Sequence, residues 1–117
     1  MIENLIARVF YTRNLAHWTH WRTKSYAQHV ALGSFYDGII DALDKLVEAR
    51  QGSDGIVGAI PTPPAPSGDI LEHLETESAW VADNRDEIAN GVTALENLVD
   101  ELSGVYLSAI YMLKNFK

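Results

Sequence analysis

Apolar residues recur at steps of three and four through most of the chain, and the breaks in that rhythm divide it into four helices. Over residues 2–23, Ile2, Ile6, Val9, Arg13, His17 and His20 share one stripe, which Leu5 and Phe10 widen. Trp18 and Trp21 flank the two histidines and are expected to pack against a neighbouring helix. Thr23-Lys24-Ser25 breaks the period, and Ser25 with Gln28 matches a capping box that starts a second helix. This helix is expected from about Tyr26 to Gln51, with Leu32, Phe35, Tyr36, Ile39, Ile40, Leu43, Leu46 and Val47 as its apolar face and Gly52 as its stop. Gly33 and Gly38 each cost about 1 kcal/mol of helix propensity, so close approach of another helix is the expected reason for them.

Residues 52–68 (GSDGIVGAIPTPPAPSG) hold four prolines and four glycines and cannot be helical. An extended connector of this length spans roughly 50 Å, more than the roughly 38 Å of the helix before it. Such reach suits a crossover that climbs the height of a bundle and starts the next helix at the far end. A third helix is expected over 69–89, on the weaker stripe Ile70, Leu74, Val81 and Ile88, with Asn90-Gly91 as its break. The fourth, over 93–116, keeps the period throughout with Leu95, Leu98, Val99, Leu102, Tyr106, Ala109, Ile110, Leu113 and Phe116. Thr93 and Glu96 form a second capping-box candidate. The expectation is an all-α single domain over 1–117: a four-helix bundle with a long Pro-rich crossover between its second and third helices.

Composition narrows the function classes. With 47% hydrophobic and 21% charged residues the chain reads as globular, and no apolar run is long enough for a membrane span. The lack of cysteine removes disulfides, thiolate metal sites and thiol nucleophiles, which fits a cytoplasmic protein. The net charge of −7 is unevenly spread. Residues 1–30 carry Arg8, Arg13, Arg22 and Lys24 against Glu3, whereas residues 69–101 carry ten acids against Arg85 alone. That acidic stretch repels a phosphate backbone, so no nucleic-acid partner is expected. The aromatic surface of Trp18, Trp21, Tyr36 and Tyr106 exceeds what one small bundle readily buries, and a homo-oligomer is expected.

Candidate chemistry gathers on the second helix. Asp37, Asp41, Asp44 and Glu48 are spaced four, three and four apart and share one face, where like charges oppose the helix and only Asp41–Lys45 offers local relief. Solvent, a partner's basic groups or a metal would neutralise them. Carboxylate oxygen with imidazole nitrogen from His17, His20 or His29 suits iron or manganese. No strand–elbow–helix context supports a hydrolase, and no phosphate-binding glycine loop is present.

The order His17-Trp18, His29 twelve residues later, then Asp44, Glu48 and Gly52 resembles the Dps (starvation-induced mini-ferritin) branch of the ferritin-like superfamily. A second register places His20-Trp21 on the His-Trp motif. The resemblance implies a ferritin-like bundle that binds iron, with possible ferroxidase activity, at a site shared across a subunit interface. Its metal candidates are His17, His20, His29, Asp37, Asp44 and Glu48. The chain departs from the family where an acid is expected four residues after the second histidine: Gly33 stands there, with Asp37 one turn later. It also lacks the family's basic N-terminal tail, and Glu72-His73 has the wrong spacing for a di-iron helix and reads as surface. The segment TKSYAQHVALGSFYD is similar to small Dps-like proteins encoded by tailed bacteriophages. That likeness implies a place in the host cytoplasm or the virion. It also opens an alternative, a non-enzymatic assembly protein (virion component, host-factor inhibitor or small-ligand-binding bundle) that keeps the fold without the chemistry.

Overall fold

A computed structural model describes all 117 residues, as helices and connectors with no strand. The helices are α1 (Ile2–Arg22), α2 (Tyr26–Asp54), α3 (Ile70–Asp83), α4 (Arg85–Ala89) and α5 (Thr93–Asn115). No helix is long and apolar enough to cross a membrane.

The turn between α1 and α2 forms the first half of the expected capping box, and Thr23 takes the place of Gln28 in the second. Ser25 accepts the Gln28 amide at 3.1 Å, and the Ser25 amide donates to the Thr23 hydroxyl at 3.1 Å. His20 then faces His29, and His17 faces Tyr36, so α1 and α2 are antiparallel. Phe35 meets Tyr106, and the backbone at Gly38 approaches Val105, which sets α5 antiparallel to α2. Thr12 meets His73 and Arg8 meets Glu77, so α3 runs against α1. One core collects Leu5, Val9, Leu32, Ile39, Leu46, Leu74, Val81, Leu95 and Leu102 from four helices.

Three local expectations give way, and one helix cap appears that was not expected. α2 does not stop at Gly52; Arg50 pairs with Asp54 at 3.6 Å and the Gln51 side chain accepts the Val57 amide at 3.1 Å, which carries the helix to Gly55 at φ +91°. The single helix over 69–89 is cut at Asn84, whose side-chain amide donates to the Trp80 carbonyl at 2.8 Å and competes with the ladder there. α3 begins with a cap that the hydrophobic pattern did not show, Asp69 accepting the Glu72 amide at 2.9 Å. Thr93 caps nothing: Val92 holds the N-cap position of α5, because Asn90 (φ +51°) and Gly91 (φ +76°) reverse the chain just before it.

The buried stripe of α1 also turns away from the expected one. Thr12, Leu15 and Ala16 continue Ile2, Leu5, Ile6 and Val9 inward, leaving Arg13, His17 and His20 half-buried. Trp18 and Trp21, expected to pack against a neighbouring helix, stay 38% and 65% exposed. The connector lies along α1, with the Gly58 amide donating to Glu3 at 2.8 Å and Ser67 exchanging hydrogen bonds with the Tyr11 hydroxyl at 3.1 and 3.2 Å.

Asn90 provides a direct check on the α4–α5 turn. Asn90→Gly should be nearly neutral in urea denaturation, and Asn90→Val should cost about 1–2 kcal/mol, because a β-branched residue resists the left-handed conformation. Equal stabilities for the two variants would contradict this turn geometry.

Candidate functional site

Two clusters of titratable side chains stand out, and only the first was expected. It occupies the end of α1 and the start of α2. His20 Nδ1 lies 2.6 Å from the His29 carbonyl, His29 Nδ1 lies 2.8 Å from the His20 carbonyl, and the rings stack at 3.7 Å. A carbonyl only accepts, so each Nδ1 carries the proton and donates it. In the neutral ring Nε2 is left with a free lone pair. Gly33 makes room for this clasp, since a Cβ there would meet His20 Cε1 at 3.2 Å. The position where an acid was expected is therefore faced by an imidazole.

His17 stands one turn back, stacked on Tyr36 at 4.0 Å and against Trp21 at 4.2 Å. Desolvation lowers its pKa, Arg13 and His20 lower it further, and Asp37 opposes them. Asp37, Asp41, Asp44 and Glu48 are all exposed. None is in an ion pair, and the expected Asp41–Lys45 contact does not form. The structure thus brings His17, His20 and His29 together, with Asp37 near His17. Asp44 and Glu48 lie 15 and 19 residues beyond His29, a rise of about 22 and 28 Å along the helix. The six candidates do not converge within one chain, and no three His, Asp or Glu side chains form a metal-holding group there.

The second cluster lies between α1 and α3. Arg8 grips Glu77 with two parallel bonds, Nε to Oε1 at 3.0 Å and Nη2 to Oε2 at 2.8 Å, and its guanidinium sits 4.3 Å above the Trp80 ring. Glu77 is only 4% exposed, so this pairing is what lets a carboxylate stay there. The Thr12 hydroxyl donates its one proton to the Arg8 carbonyl at 2.8 Å, and so accepts from His73 Nε2–H at 2.8 Å. His73, expected at the surface, is half-buried, with its ring 5.0 Å from that of Tyr11. Burial pushes its pKa below the ordinary value; Glu77 opposes the shift and Arg8 adds to it. The neighbouring Tyr106 hydroxyl is pushed well above the usual phenol range by burial, with a Thr12 hydrogen bond opposing. The available signal was two polar pairs at i, i+4, Arg8/Thr12 and His73/Glu77, interrupting apolar helices.

The acidic stretch is partly neutralised where α4 meets α5. Arg85 holds Asp100 at 2.7 Å and Glu96 at 3.1 Å, which draws the Asp100 carboxyl below its ordinary pKa. This is a tie between helices at the surface.

Breaking the Arg8–Glu77 pair should be asymmetric. Arg8→Ala strands a buried carboxylate and should cost about 3 kcal/mol in chemical denaturation. Glu77→Ala should cost less, because the partly exposed guanidinium can turn to water. A larger loss from Glu77→Ala would contradict the burial order. His73 adds a pH dependence. Its folded pKa lies below 6.5, so the unfolded chain takes up the proton first. The stabilisation from the neutral ring is complete above that value and is lost as pH falls through the folded pKa. The melting temperature should drop as the pH falls below about 7, and His73→Gln should flatten that slope.

A model of DUF5856, a family of unknown function, matches residues 20–113. The chain belongs to this family. No curated protein and no solved structure matches it.

Proposed function

We propose that this member of DUF5856 is a ferritin-like, Dps-like four-helix bundle that forms a homo-oligomer and takes up Fe²⁺ as cargo between subunits. The observation that carries the reading is the state of α2. Four exposed carboxylates without a counter-charge share a helix with His29, while His20 and His29 each keep a free Nε2. Imidazole nitrogen with carboxylate oxygen is a donor set for Fe²⁺, Mn²⁺ or Zn²⁺. Within one chain this set does not fit a single cation, because Asp44 and Glu48 stand too far along the helix. A second copy is needed to present its Asp44 and Glu48 to these histidines.

The helix order supports the same reading. α2 and α3 both run against α1, so they run parallel, and a connector tied to α1 at Glu3 and at Tyr11 joins them as a crossover does. Of the aromatic residues expected at a subunit contact, Tyr106 is buried and Tyr36 half-buried, while exposed Trp18, Trp21, Tyr26 and Phe116 offer apolar area. Oxidation of iron is outside the proposal, since Gly33 replaces the acid that the Dps resemblance expects.

One observation favours the alternative, an assembly bundle without metal chemistry. The reciprocal His20–His29 bonds close the helical hairpin on their own, and Gly33 serves that packing. Both readings expect a homo-oligomer, and light scattering that gives a monomer at micromolar concentration would remove the shared premise. Metal separates them. Fe²⁺ under anaerobic conditions, or Zn²⁺, should raise the melting temperature if the folded oligomer binds it. Asp44→Asn and Glu48→Gln, at exposed unpaired positions, should abolish that rise with the helix content unchanged, whereas Asp83→Asn should leave it intact. An oligomer whose melting temperature ignores both metals is the assembly protein.

A further inference from the structure

A cavity of about 300 Å³ lies under the connector, at the low end of the range for small-ligand sites. It exists because the connector is held at Glu3–Gly58 and again at Tyr11–Ser67. Between these ties, residues 61–64 (Pro-Thr-Pro-Pro) arch over α1 and α3 as a stiff polyproline-type strap. The floor is Arg8, Tyr11, His73 and Glu77.

The chemistry of that floor restricts what can enter. Arg8 spends Nε and Nη2 on Glu77, and Nη1 is left with two N–H donors. His73 spends Nε2–H on Thr12, and Nδ1 is left as an acceptor. The guanidinium charge is already matched by Glu77, so an anion would compete with a bidentate carboxylate and a cation would face Arg8. The remaining wall is proline rings and the Tyr11 ring, which is tilted 46° to that of His73, and these ring faces suit a planar ring edge-bonded to the floor.

We propose that the cavity between α1, α3 and the proline strap is a binding site for a small neutral nitrogen heterocycle, nucleobase-sized, whose edge offers an acceptor to Arg8 Nη1 and a donor to His73 Nδ1. This site is separate from the histidine clasp and does not depend on the metal reading.

The test is an NMR titration of the full chain in EDTA with adenine, uracil and nicotinamide, set against benzoate as an anion and toluene as a ring without a polar edge. At least one heterocycle should shift the amides of Ala7, Arg8, Tyr11 and Thr62 and the His73 Nδ1 resonance, and benzoate and toluene should not. Ala7→Leu places a side chain in the cavity and should abolish the shifts while circular dichroism keeps its helical signal. His73→Phe keeps a ring of similar shape without the acceptor and should weaken binding by about tenfold or more. It reads the same loss if Ala7→Leu fails to fold. No response to any heterocycle at millimolar concentration, an equal response to benzoate or toluene, or shifts that survive both variants would overturn the proposal.

Discussion

Glu77 is a carboxylate that almost no water reaches, and its only strong compensation is the fork of Arg8 from another helix. An ion buried in this way does not add much to stability over an apolar pair of the same shape, but it fixes who must sit opposite whom. Sliding α3 by one turn along α1 would strand the charge, at a cost larger than the gain from any shifted apolar contact. The pair therefore sets the register in which His73 reaches Thr12. Trp80 closes the upper face of the guanidinium, so the lock is desolvated from α3 as well.

The other end of α1 is organised by a different kind of complementarity. Two imidazoles lie ring on ring because each answers the other's backbone carbonyl, and a glycine gives them the space. A feature that first looks like a flaw in a metal motif thus has a packing reason. This does not remove the donors, since the Nε2 atoms are untouched by the clasp. It does fix the orientation of both rings.

The helical class and the long elements could be read from the sequence because α2 and α5 hold their apolar period over more than twenty residues. Boundaries were harder, for reasons that sit in single side chains. Asn84 bends a helix by taking a carbonyl, Arg50–Asp54 carries another past a glycine, and Asn90-Gly91 moves a cap by one residue. Of the candidate site, the three histidines were findable from spacing, whereas the Arg8–Glu77–His73 network was not. Periodicity scores a polar residue on an apolar stripe as noise, and which stripe faces which depends on long-range pairing. The α1 stripe itself rotated from His17 and His20 to Leu15 and Ala16 for that reason.

The connector's place on the outside of α1 has a consequence for covalent continuity. Residues 58–62 are exposed and touch the core nowhere, so a protease that cuts there severs the chain without severing any helix contact. The pieces, α1–α2 and α3–α5, share one core and the buried Arg8–Glu77 pair, and they would stay together as a complex of fragments. Folding of the cut protein becomes a bimolecular event. Its resistance to denaturant would then gain a dependence on fragment concentration from the reunion of the two halves, a step that the intact chain makes unimolecular.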